Sequence, residues 1–116
     1  MATTLAELTE IAVRFRSERD WQQFHNPKDV ALSMSLEVAE LIEIMQWRNG
    51  VELQNHLKAN RDHVGQELSD ILGWVLLLAH DLDIDLPAAF AEKMKHNAEK
   101  YPVDKARGVA KKYTEL

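Results

Sequence analysis

Glu37-Val38-Ala39-Glu40 and Glu67-Leu68-Ser69-Asp70 bound the stretch on which the reading of this chain turns. In each quartet two carboxylates stand three positions apart, about 300° of helical rotation and roughly one turn of rise, so each pair shares a helix face. Val30, Leu32, Met34, Leu36, Leu41, Ile42 and Ile44 flank the first, and Leu72, Trp74, Val75, Leu76, Leu77 and Leu78 follow the second. The spacing predicts a helix from Lys28 to Trp47, with Asn26 as its cap and Pro27 at its first position, and another from Arg61 to Leu82. Asn49-Gly50 through Asn60 is polar and glycine-marked and reads as a connection. Folding the hairpin at its middle brings Glu40 and Glu67 to nearly the same height, so four carboxylates meet across a helix–helix seam.

Buried like charges raise one another's pKa unless a cation neutralises them. A divalent metal is the simplest partner, and an all-oxygen set suits Mg²⁺ or Mn²⁺ better than zinc or copper. Trp47 and Trp74 lie about two turns beyond Glu40 and Glu67, which puts each indole on its carboxylates' face. Core packing accounts for both rings as readily as ligand binding does. Metal flanked by aromatic planes suits a ligand with phosphate at one end and a flat base at the other.

The quartets carry weight as a pair. Glu7 and Glu10 have the same spacing on a helix with a wet face, so one quartet alone is weak. Glu43 continues the first series without an acidic counterpart and is expected at its periphery. None of the five histidines makes the Glu-x-x-His pairs of ferritin-like dimetal bundles. No Gly-x-x-x-x-Gly-Lys loop is present, and no cysteine or serine elbow offers a covalent nucleophile.

The remaining sequence frames this seam. At 116 residues, with 46% hydrophobic and 28% charged, the chain is long enough for a single globular domain with its own core. The core is expected over residues 4 to 101, with a tail over 102 to 116. Without cysteine there is no disulfide framework, which suits a cytoplasmic location, and no basic, apolar leader or membrane-length run stands out. A net charge of −5 argues against nucleic acid polymers as partners.

Thr4-Leu-Ala-Glu7 has capping-box spacing, and Leu5, Leu8, Ile11, Ala12 and Phe15 follow, so a first helix is placed over 4 to 19 with Arg14, Arg16 and Arg19 on a solvated face. Trp21, Phe24 and His25 make an aromatic linker that either plugs the bundle end or contacts a ligand. Asp85-Leu86-Pro87 opens a fourth helix over 86 to 100, on which Lys93 and Asn97 share a face able to hold phosphate oxygens. The central helices are apolar nearly all round, so a homo-oligomer is expected.

Taken together, Phe15 to His25, Glu37-Val-Ala-Glu-Leu, Gln46-Trp47, Glu67-Leu-Ser-Asp70, Asp85-Leu-Pro87, Lys93-Met94, Tyr101-Pro102 and Lys112-Tyr-Thr-Glu-Leu116 resemble the MazG-like all-α nucleotide pyrophosphohydrolases, nearest their dCTP pyrophosphatase branch. Trp74 and Ala12 stand where that branch carries tyrosine and histidine. The resemblance implies a four-helix-bundle protomer in a dimer or tetramer. It implies Mg²⁺-dependent hydrolysis of a nucleoside triphosphate, dCTP or a related dNTP, to the monophosphate and pyrophosphate. Carried over by position, Glu37, Glu40, Glu67 and Asp70 would be the metal ligands. Trp21, Phe24, His25, Trp47 and Trp74 would line the base pocket, and Lys93 and Asn97 would lie near the phosphates. Glu40 and Glu67 are the carboxylates expected to be required for turnover, with Glu40 the candidate to take the water's proton. The rival expectations are a non-catalytic helical interaction module, or a related phosphohydrolase acting on dUTP or a phosphoribosyl nucleotide.

Overall fold

The computed structural model describes every residue from Met1 to Leu116. It is all-α, as the apolar periodicity requires, with six helices, two 3-10 turns and no strand. The chain divides into two compact units, Met1–Asp83 and Ile84–Leu116.

The first unit holds α1 (Leu5–Glu18), a 3-10 turn (Gln22–Phe24), α2 (Pro27–Met45), α3 (Gly50–Ala59) and α4 (Arg61–Asp81). Local chemistry sets the starts. The Thr4 hydroxyl accepts from the Glu7 amide at 3.1 Å while the Glu7 carboxylate accepts from the Thr4 amide, so the capping box is closed. Asn26 caps α2 by accepting from the Asp29 amide at 3.0 Å, with Pro27 following as the spacing predicts.

The main packing joins α2 to α4, with α1 along α4 and α3 touching both. The α2–α4 pair is antiparallel: Glu43 and His63 line one cavity, while Glu37 and Trp74 line another further along the seam. Val30 and Ile44 from α2 and Leu76 and Leu77 from α4 are its buried apolar side chains. Each stabilises the fold by about 1.5–3 kcal/mol relative to leaving it exposed. Large apolar side chains on the flanks, among them Leu32, Leu36, Ile42 and Leu68, stay more than half exposed.

Three features depart from the sequence reading. The stretch read as a connection is helical: α3 is built from good helix formers such as Leu53, Gln54, Leu57, Lys58 and Ala59, and Arg48 pairs with Glu52 on its first turn. Its half-buried face, Leu53, His56, Leu57 and Asn60, follows the helical spacing but is half polar, so it does not read as an apolar run. Helix α2 stops at Met45, short of Trp47, which takes a left-handed backbone (φ 68°) just before Gly50 (φ 56°). Arg16, expected on a wet face, is only 2% exposed. It lies one turn beyond Ala12, on the apolar side of α1.

The second unit holds α5 (Leu86–Lys100), α6 (Val103–Ala106) and a 3-10 turn (Tyr113–Glu115). Asp85 caps α5 by accepting from the Ala88 amide at 3.1 Å. The tail is folded back on its own helix. The Tyr113 ring meets Tyr101 edge-on with centroids 6.0 Å apart, and the Lys100 ammonium lies 4.9 Å from the Tyr113 ring centre.

Candidate functional site

The antiparallel register brings the two acidic quartets together. Glu37 from α2 and Glu67 and Asp70 from α4 each offer an oxygen within 4.8 Å of the others. Glu40, one turn beyond Glu37, lies exposed beside it. Burial, reinforced by Glu40, Asp70 and Glu67, pushes the Glu37 carboxyl up to about 7. Glu37 and Glu67 each keep one buried oxygen, Oε2, with no hydrogen-bond partner. Orphaned carboxylate oxygens facing one another are costly without a cation between them. The donor set therefore fits a hard divalent metal such as Mg²⁺ or Mn²⁺. Its ligands would be Glu37, Glu67 and Asp70, with Glu40 at hand.

Two cavities meet this cluster from opposite sides. The first, of about 500 Å³, is lined by Glu37 and Asp70 and by a largely apolar wall that includes Ile11, Phe15, Trp21 and Trp74. That volume is within the range of small-molecule sites. Its aromatic framework is fixed by edge-on contacts, Phe15 to Trp21 at 5.8 Å and His25 to Trp74 at 5.1 Å. Gly73 borders this cavity, and a Cβ added there would meet nothing within 4 Å. The glycine therefore opens space for a ligand; the close helix approach that its position suggests is absent.

Arg16 and His25 stand in the apolar wall, along with Ser69, whose hydroxyl donates to the Gly65 carbonyl at 2.7 Å. Arg16 donates from Nη1 to Asp81 Oδ2 at 2.8 Å and from Nη2 to Oδ1 at 2.7 Å, tying the end of α1 to the end of α4. Its guanidinium holds the Asp81 carboxyl below the usual carboxylate range. Burial, aided by the Arg16 charge, lowers the His25 pKa and favours its neutral ring. Arg16 Nε and His25 Nδ1 are both buried without partners.

The second cavity, of about 530 Å³, is lined by Glu40, Glu43 and Glu67 together with Arg48, His56, Asn60 and His63. His63 Nε2 lies 3.4 Å from Glu67 Oε1, and the Asn60 amide group lies 3.2 Å from His56 Nδ1. Glu43, expected at the periphery of the carboxylates, takes its place here.

Of the residues expected at the base, Trp21, His25 and Trp74 line the first cavity together. Phe24 and Trp47 do not: Phe24 is 64% exposed and Trp47 is 90% exposed. The extrapolation from Glu40 to Trp47 failed because it assumed helix where α2 had already ended. Lys93 and Asn97 sit one turn apart on α5, in the second unit. Arg16 and Gly73 were not read as site residues. Arg16 carried a usable signal, its one-turn spacing from Leu8 and Ala12 on the apolar stripe.

A family model described as MazG-like matches residues 32–116. The chain is 40% identical over 115 residues to dCTP pyrophosphatase 1 of Rattus norvegicus, a match covering 97% of this chain and 68% of that protein. The Homo sapiens protein of the same name is 39% identical over the same shares. The crystal structure of a pyrophosphatase from Archaeoglobus fulgidus superposes with a TM-score of 0.81 at 36% identity, covering 88% of this chain and 95% of that one.

Proposed function

We propose, from the premise that this chain belongs to the MazG-like family, that it is a nucleoside triphosphate pyrophosphatase. It cleaves the bond between the α- and β-phosphates, releasing a nucleoside monophosphate and pyrophosphate. Its substrate is dCTP or a related deoxynucleoside triphosphate, as the names of its relatives suggest. The role that follows is clearing surplus or modified nucleotides from the pool.

The observation that carries this reading is the junction of two chemistries at one seam. Carboxylates from α2 and α4 converge beside a cavity walled by Trp21, Trp74 and His25. A flat base suits the aromatic wall, and a metal-carrying triphosphate suits the acids. When bound, Mg²⁺ or Mn²⁺ supplies charge neutralisation at the phosphates and lowers the pKa of coordinated water.

The side chains divide the remaining work. Glu37, Glu67 and Asp70 would hold the metal, and the buried, partnerless oxygens of Glu37 and Glu67 support that role. Glu40, exposed and outside the three-carboxylate cluster, takes the proton of the attacking water. Glu67 is held in place by burial and by His63 at 3.4 Å. Trp21 and Trp74 keep water from the base. The apolar flanks left open on α2 and α4 support a homo-oligomer, dimer or tetramer. No helix is long and apolar enough to cross a membrane.

The test is incubation with dCTP and Mg²⁺, followed by product analysis, with a panel of the other dNTPs, dUTP and phosphoribosyl nucleotides alongside. Pyrophosphate appearing with an equal amount of monophosphate is the expected result. Release of single phosphates, or no turnover on the whole panel, overturns the reading.

A further inference from the structure

A cavity whose wall is mostly apolar gains its selectivity from the few polar groups set into it. Here the polar groups of the first cavity that are buried without partners, apart from the acids, belong to Arg16 and His25. Arg16 is 98% buried by its 2% exposure, too deep for a solvating role. Its two Nη atoms are committed to Asp81 in a bidentate pair, which fixes the plane of the guanidinium. Its Nε, which only donates, has no partner in the protein. A buried N–H without an acceptor costs about 1–3 kcal/mol. Ala12, one turn earlier and on the same wall, is too short to meet it.

We infer that Arg16 is a specificity-determining residue: its Nε–H donates to a carbonyl or ring-nitrogen acceptor on a nucleobase seated in the aromatic cavity. Asp81 is its positioning residue, holding the fork in place across α1 and α4. His25, packed edge-on against Trp74, stands beside Arg16 with its own free ring nitrogen Nδ1 and supplies the second polar contact. The identity of the ligand as a nucleotide rests on the enzymatic reading above. The assignment of Arg16 as the base-reading donor does not depend on turnover and can be tested apart from it.

Two variants remove the donor by different routes. Arg16→Met combined with Asp81→Leu takes out both charges at once, a replacement that buried ion pairs often tolerate. Arg16→Lys keeps a cation toward Asp81 and deletes the Nε–H. The four deoxynucleoside monophosphates are titrated in metal-free buffer, read by the fluorescence of Trp21 and Trp74. Pyrophosphate with Mg²⁺ is titrated separately by calorimetry. In both variants the affinity for the preferred monophosphate falls at least about tenfold, the cost of one lost buried hydrogen bond, while pyrophosphate binding stays unchanged. Preference among the four bases flattens, and with triphosphates the loss appears in KM. Unchanged monophosphate affinity in either folded variant, equal loss for monophosphate and pyrophosphate, or no monophosphate binding by the wild type would each overturn the inference. Arg16-dependent base binding in a protein that hydrolyses no triphosphate would uphold it and overturn the enzymatic reading instead.

Discussion

Arg16 and Asp81, sixty-five positions apart in sequence, are joined by two parallel hydrogen bonds of 2.8 and 2.7 Å that lock the last turn of α1 to the last turn of α4. Removing only one partner strands the other's charge. Asp81→Asn or Arg16→Met alone is expected to destabilise the fold by about 3–5 kcal/mol, and the double change Arg16→Met with Asp81→Leu by far less. Urea denaturation of the three variants measures this, and the non-additivity is the signature. The pair also makes the fold acid-sensitive. Asp81 titrates below its ordinary value of 3.8 in the folded chain. Its stabilisation is present above that value and disappears as pH falls through the lowered one.

Glu37 gives the opposite pH dependence. Its folded pKa, about 7, lies above its ordinary value of 4.5, so the metal-free fold favours the protonated acid. Its contribution is greatest below 4.5 and is lost as pH rises towards 7. Glu37→Gln removes this slope from the metal-free melting temperature. Because a ligand carboxylate must be ionised, Mn²⁺ affinity is expected to rise up to about tenfold per pH unit below 7 and to level off above it. Calorimetry across pH 5.5 to 8 checks both the slope and the plateau; a flat profile would remove Glu37 from the ligand set.

Glu40→Gln and Glu67→Gln should each lower kcat by about 10²–10⁴-fold with helicity intact, since each keeps its shape and loses its charge. Circular dichroism and pyrophosphate release together decide it. Retained turnover in both variants would reject the carboxylate assignment.

Gly73 separates packing from binding. Its backbone is ordinary helix and the space beside it is open, so Gly73→Ala should raise stability by about 1 kcal/mol. Gly73→Phe should fill the cavity, raise KM for nucleotide at least about tenfold and leave the melting temperature near that of the wild type, because the ring takes space used by ligand only. A well-folded Gly73→Phe variant with unchanged KM would place the base elsewhere.

What the sequence made readable was periodic. The meeting of Glu37, Glu67 and Asp70 could be read because their spacing repeats the helix turn inside long apolar runs, and the starts at Thr4, Asn26 and Asp85 because caps are local chemistry. What it hid depended on where the period stops. Trp47 was put beside the acids by counting turns past the end of α2. Helix α3 went unseen because the face it turns to α2 and α4 mixes Leu53 and Leu57 with His56 and Asn60, and the polar residues around Asn49-Gly50 read as a turn. Arg16 was read as wet because a single residue cannot announce a partner sixty-five positions away. Its place on the stripe of Leu8 and Ala12 was visible, but burial of a charge becomes sensible only once Asp81 is seen opposite.

The thin apolar centre of the first unit, Val30, Ile44, Leu76 and Leu77, bears on how the protein behaves in dilute solution. In the assembly proposed here, much of each copy's resistance to melting comes from flanks that close only on a neighbour. Dilution then acts like mild heating: below the dissociation constant the chains part and loosen together, and the melting point climbs with protein concentration.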